Sequence, residues 1–160
     1  MLDVVKLLSK LKGVSIEWRK NGAAALMKRL DAVFADRVPG RETYKLPDGS
    51  TTSIYSEDNA VIHIEISLDI FPGTESLTDL EYEDKVDEFF EKFNAAVVEA
   101  AGILGDPQFN DGFGCEGFPD DQDAVWLALW NVSGSRVMIQ QKHEARELPF
   151  RLLLVLAPPV

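Results

Sequence analysis

The sequence predicts an α+β fold, with an antiparallel sheet of about five to six strands and helices packed on one face. Three observations carry it. Residues 60–70, AVIHIEISLDI, alternate apolar and polar side chains as a half-buried strand does. Residues 78–104 hold a long amphipathic helix with its own start and stop signals. Residues 124–157 hold three β-prone runs joined by short connections, the spacing of antiparallel neighbours. A chain of 160 residues is the usual size of one domain, so residues 1–160 are read as a single globular unit.

Taken in order, Val4, Val5, Leu8 and Leu11 form the apolar side of a first helix over 3–12, closed by Gly13. VSIEW at 14–18 alternates and predicts a brief strand. Asn21 is an expected N-cap. Ala23, Leu26, Met27, Leu30, Val33 and Phe34 then continue at helical spacing until Pro39-Gly40. Pro47-Asp48-Gly49 is a turn between two polar β-prone runs, so residues 43–56 are expected to form an edge hairpin. In the strand at 60–70, Ile62, Ile64, Ile66, Leu68 and Ile70 are expected on one face. Val61, His63, Glu65, Ser67 and Asp69 are expected on the other.

The long helix opens with Thr78 and Glu81 as a capping box and Leu77 with Tyr82 as a hydrophobic staple. Glu81–Lys85 and Glu88–Lys92 are spaced as favourable pairs one turn apart. Tyr82, Val86, Phe89, Phe90, Phe93, Val97, Ala100, Ala101 and Leu104 make one apolar stripe, and Gly105 and Pro107 end it. AVWLALWNV at 124–132 and FRLLLVLA at 150–157 are apolar on both faces, as central strands are, while RVMIQQKH at 136–143 alternates. The order helix–strand–strand–strand occurs over 21–70 and again over 78–157, which suggests an α-βββ pseudo-repeat.

The formal net charge is −11 and is unevenly spread. Residues 1–40 carry eight Lys/Arg against four Asp/Glu; residues 57–123 carry nineteen Asp/Glu against two Lys. Such a middle repels nucleic-acid phosphates and anionic lipid and suits a basic protein partner. The N-terminus lacks the apolar run of a secretory leader, no stretch approaches the roughly 20 apolar residues of a membrane helix, and one cysteine forms no internal disulfide. The expectation is a cytoplasmic protein that binds neither nucleic acid nor membrane.

GFGCEG fits G-x-G-x-x-G at Gly112, Gly114 and Gly117. A dinucleotide cradle needs a strand before it and a helix opening at its end. Here a helix ends before it, and Pro119, Asp120, Asp121 and Asp123 follow with charges that repel a pyrophosphate. Asp106, Asn110, Asp111, Glu116 and the later acids supply hard oxygens, but not at the spacing of a calcium loop. Cys115 has acidic neighbours, which disfavour a thiolate, and His63 and His143 are its only potential bases. One Cys and two separated His make no zinc set. No catalytic, cofactor-binding or metal-binding residue is therefore assigned, and no cofactor is expected.

What remains is a loop that grips another protein. Phe109, Phe113 and Phe118 alternate with glycine and carboxylates, a pattern suited to a partner offering apolar pockets and Lys/Arg. The candidate partner-binding residues are Asp111, Phe113, Glu116, Phe118, Asp120, Asp121 and Asp123. In its length, its acidic 57–123 segment and its lack of catalytic motifs, the chain resembles the small acidic α+β immunity proteins of bacterial polymorphic toxin systems, of the contact-dependent inhibition and type VI kinds. That resemblance implies a non-enzymatic cytoplasmic protein that neutralises a cognate, basic toxin domain. The alternatives from other classes are a small enzyme or ligand-binding domain using the His63–Glu65–Asp69 strand face, and a secretion chaperone or adaptor.

Overall fold

The computed structural model describes residues 1–160. Two short helices, α1 (Val4–Leu11) and α2 (Lys20–Arg29), precede a four-strand meander: β1 (Val33–Val38), β2 (Arg41–Lys45), β3 (Thr51–Glu57) and β4 (Ala60–Phe71). A long helix, α3 (Asp79–Leu104), precedes a second meander: β5 (Phe109–Gly112), β6 (Trp126–Val132), β7 (Ser135–Lys142) and β8 (Phe150–Ala157). The strands join into one antiparallel sheet in the order β1-β2-β3-β4-β8-β7-β6-β5. The sheet thus has eight strands, not five to six, and the repeat is α-ββββ, with the last strands of the two halves meeting at its centre.

Both missed strands have physical reasons. Val33 and Phe34 fit the helical period of α2, but the helix ends at Arg29 and Asp31 takes a left-handed backbone (φ 56°), turning the chain into β1. Strand β5 is only four residues, FNDG, rich in turn formers and recognisable only by its pairing with β6. Conversely, 14–18 forms no strand; only Arg19 bridges to Ala60. Asn21 lies inside α2, whose N-cap is Arg19.

All three helices cover one face. Their apolar sides and the inward residues of β4, β6, β7 and β8 form the main core, including Phe89, Phe93, Trp130, Phe150, Ile64 and Ile66. Trp130 is fully buried and its indole nitrogen donates to the Gly105 carbonyl at 2.8 Å, which ties the end of α3 to β6. The capping box of α3 forms as expected: Thr78 Oγ1 accepts from the Glu81 amide at 3.2 Å, and Glu81 accepts from the Thr78 amide at 3.4 Å. Lys92 lies 3.8 Å from Glu88, whereas Lys85 turns to Glu88 and the Phe71 ring instead of Glu81. On the stripe, Val86 and Phe90 remain 42% and 36% exposed.

Strand β4 keeps its expected alternation only in the middle. Ile64, Ile66 and Leu68 are in the core, but Ile62 and Ile70 are about half exposed. Register shifts at Tyr55/Ser56 and Ser67/Asp69 flip the ends of the strand. Val61 consequently joins the core, and Asp69 turns to the helix side, where Lys92 bonds it at 2.6 Å.

Candidate functional site

The helix-free face of the sheet divides into two unlike halves. On the C-terminal half, Leu127, Met138, Leu153, Val155 and Ala157 form a second apolar cluster. The β5–β6 connection, residues 113–125, folds over it. Phe109 and Phe118 pack onto the cluster with rings 5.8 Å apart and nearly perpendicular, and Phe113 adds a third ring 5.4 Å from Phe118. Arg136, on the same face, is 3% exposed. It donates two hydrogen bonds to Asp121, at 2.8 and 2.6 Å, and one to the Pro158 carbonyl at 2.8 Å. The guanidinium therefore clamps both the loop and the C-terminus, and its hydrogen bonds hold Asp121 below the usual carboxylate range.

Two glycines of GFGCEG serve this packing. Strand β5 does precede the motif, but a tight turn follows it, with no helix. Gly112 lies under the Trp126 ring, where a Cβ would stand 3.2 Å from the indole. Gly117 (φ 92°) turns in the left-handed region beneath Phe109.

The seven loop residues do not form one patch. Asp111, Phe113 and Asp123 gather around a hollow of about 540 Å³ at the end of β5 and β6, with Trp126, His143 and Glu144 on its other walls. Phe113 is 68% exposed and Glu116 is exposed. Phe118, in ring contact with Phe113, lies with Asp120 and Asp121 around a second hollow that reaches Ile62 and the C-terminus. Phe118 is half-buried, and Asp121 is engaged by Arg136. The sequence reading missed Trp126, His143 and Glu144 as neighbours of the loop. It also missed Phe90, whose ring packs 4.7 Å from Trp126 and extends the aromatic surface onto α3. These residues come together only through strand pairing, and no local spacing announces them.

Cys115 and His143 line the same hollow, but His63 does not. The Asp111 carboxylate favours the protonated thiol by hydrogen bonding and by its charge, and this pushes Cys115 up. His143 Nε2 is 2.6 Å from the Tyr82 hydroxyl, and its ring stacks flat on Phe150 at 3.9 Å. The imidazole is thus held by Tyr82 and Phe150, and the thiol is held protonated, so the two are not set up as a nucleophile and its base.

On the other half of the helix-free face, Glu65 is the central group, with 9% of its side chain exposed. His63 Nε2 stands at 3.3 Å, Lys142 Nζ at 3.4 Å and an Arg151 nitrogen at 3.6 Å. Burial pushes the Glu65 carboxyl up, but the His63 hydrogen bond and the charges of Lys142 and Arg151 outweigh it and hold the group below its ordinary value. Tyr55 stacks on His63 at 4.7 Å. His63, Glu65 and Ser67 share this face as expected, whereas Asp69 has left it. No group of three or more His, Cys, Asp or Glu side chains is arranged to hold a metal ion, and no helix is long and apolar enough to cross a membrane.

No known protein family, curated protein or solved structure matches the chain.

Proposed function

We propose that the chain is an immunity protein, which binds a cognate basic toxin domain in the cytoplasm and neutralises it by covering its working surface. The supporting observation is Phe113. It stands 68% exposed beside the hollow, with Trp126 on the wall and the Asp111 and Asp123 carboxylates around it; the Glu144 carboxylate there is already paired with Arg151 at 2.6 Å. A large exposed aromatic beside a concave wall is what interface anchors look like, and carboxylates around it favour a partner rich in Lys and Arg. Lys142 also lines the hollow, but its ammonium lies 3.4 Å from Glu65. Function by binding alone fits a site in which the one thiol and the nearby imidazole are both held away from reaction.

The test is protection. Cells expressing the chain are challenged with the basic toxin domain encoded beside it, and the purified pair is checked for a complex. Survival and a stoichiometric complex are expected, with both weakened by Phe113→Ala. A neighbouring toxin that forms no complex and kills regardless of this chain would overturn the reading.

A further inference from the structure

The two halves of the sheet differ in what covers them, and that difference creates a second site. In the C-terminal half the edge strands β5 and β6 are joined by residues 113–125, which fold over the sheet; in the N-terminal half the equivalent strands β1 and β2 are joined by Pro39-Gly40 alone. No such loop covers the N-terminal half of the helix-free face, where β2 and β3 present polar residues and Met1 and Leu2 stand at its border. Register places Arg41 beside Tyr55, which pairs in turn with His63, and Lys45 beside Thr51. Short hydroxyl side chains, Thr51, Ser53 and Ser67, occupy the middle, while the longer Arg41, Lys45 and Arg151 stand around them. Short residues flanked by long ones make a groove, here of about 820 Å³, within the roughly 300–1,000 Å³ of small-ligand sites.

The charges in the groove are unequally satisfied. Two of its carboxylates are paired with cations: Asp69, turned towards the helices at the end of the groove, by Lys92 at 2.6 Å, and Glu65 by Lys142 and Arg151 beside His63; Asp48 bonds only Ser50, whose hydroxyl donates at 2.7 Å, and keeps its charge. Arg151 is bound to Glu144 and Glu65. Arg41 has no hydrogen-bond or ion-pair partner, and Lys45 has only the Thr51 hydroxyl at 3.0 Å. Arg41 and Lys45 thus stand without an ion-pair partner, about 13 Å apart along β2, above a floor of hydroxyls and with one unpaired carboxylate, Asp48, in the same groove. We propose that this groove binds a small polyol bearing a phosphate or carboxylate group: one of the two cations takes the anion and the other a ligand hydroxyl, the Ser and Thr hydroxyls take the remaining hydroxyls, and the Tyr55 ring supplies a flat apolar wall. The site stands apart from the immunity reading, because it uses residues on the opposite half of the sheet from Phe113.

The full chain, labelled with ¹⁵N, is titrated with glucose 6-phosphate, glucuronate, inorganic phosphate and glucose while amide shifts are followed. Saturable shifts at Lys45, Thr51, Ser53 and Ser67 with glucose 6-phosphate or glucuronate, and none with glucose, are expected; which of the two binds tells phosphate from carboxylate. Arg41→Gln and Lys45→Gln alter exposed side chains and should leave the spectrum folded while weakening binding about tenfold each, the loss of one charge-assisted contact. No saturable shift with any anion at tens of millimolar overturns the proposal. Binding unchanged in both variants does so too. Equal affinity for inorganic phosphate and glucose 6-phosphate overturns the polyol part, since the hydroxyl floor would then contribute nothing.

Discussion

Arg136 and Asp121 meet through two parallel hydrogen bonds, with the guanidinium buried and the carboxylate half in water. The contact spans the helix-free face and holds the β5–β6 loop down over Met138 and Leu153. Asp121→Asn would leave a buried cation with the Pro158 carbonyl and a weaker, neutral acceptor. The expected loss is about 2 kcal/mol, below the roughly 3–5 kcal/mol for breaking a fully buried pair, because Asp121 keeps water on one side. Urea unfolding followed by tryptophan fluorescence measures it; an unchanged midpoint would mean the loop is held by its phenylalanines alone.

Acid should act through the same pair and through Glu65. Both carboxyls are held below their ordinary values in the folded chain. A depressed folded pKa gives stability that is fully present above the unfolded value, near pH 4, and is lost as pH falls through the folded value. The melting temperature should therefore stay level from neutral pH to about pH 5 and drop below it. Glu65→Gln should lower stability at pH 7 by about 2–3 kcal/mol, by leaving Lys142 and Arg151 without their buried counter-charge, and should flatten the acid limb. An acid limb as steep in that variant as in the parent would place the titrating groups elsewhere.

The long helix shows how far local signals reach. The capping box at Thr78 and Glu81 and the stop at Gly105 lie within one turn of chain each, so they are readable from neighbours in sequence. So is the pairing of the last three strands, whose turns are short. Strand β1 was illegible because Val33 and Phe34 satisfy both a helical and a strand period, and tertiary pairing with β2 decided between them. The two bulges of β4 were hidden for the same reason: alternation states which residues are apolar, but not where an extra residue enters the ladder. At the site, the loop's composition pointed to aromatic anchors and acids. It could not separate Phe113, which faces solvent, from Phe118, which lies between two rings, or Asp123 from Asp121. Arg136, on the same strand face as Met138, was the available signal that some carboxylate must turn inward.

Cys115 offers a chemical check on the loop geometry. Although the thiol is exposed, the Asp111 carboxylate holds it protonated, so alkylation by iodoacetamide at pH 7 should be slower than for a free cysteine of pKa about 8.5. Asp111→Asn keeps an acceptor for the Gly112 amide, which Asp111 Oδ1 now binds at 2.8 Å, while removing the charge. The variant should react faster, with its rate-versus-pH curve moved to lower pH. Equal curves for the two proteins would mean that Asp111 does not govern the thiol.

Partner binding should separate into a charge effect and a packing effect. Glu116, Asp120 and Asp123 are exposed and free of the Arg136 clamp, so reversing all three to Lys should leave the chain folded. Opposite charges steer the encounter, so the triple variant should associate more slowly with a basic partner. The parent's own association rate should fall as salt shortens the screening length from roughly 10 Å at 0.1 M to about 3 Å at 1 M. Phe113→Ala removes a largely exposed ring whose edge-to-face contact is with Phe118, so the free protein's stability should change by no more than about 1 kcal/mol. Its complex should dissociate faster, by about tenfold or more if the ring fills a pocket on the partner, because packing is lost only after docking. Phe118→Ala is the contrast: that ring packs on Phe109 and the second apolar cluster, so the variant should lose about 2 kcal/mol of stability before any partner is added. Stopped-flow kinetics resolve the two rate constants. If charge reversal leaves association unchanged and Phe113→Ala leaves dissociation unchanged, the loop edge is not the interface, and the acidic outer face of α3 is the surface to mutate next.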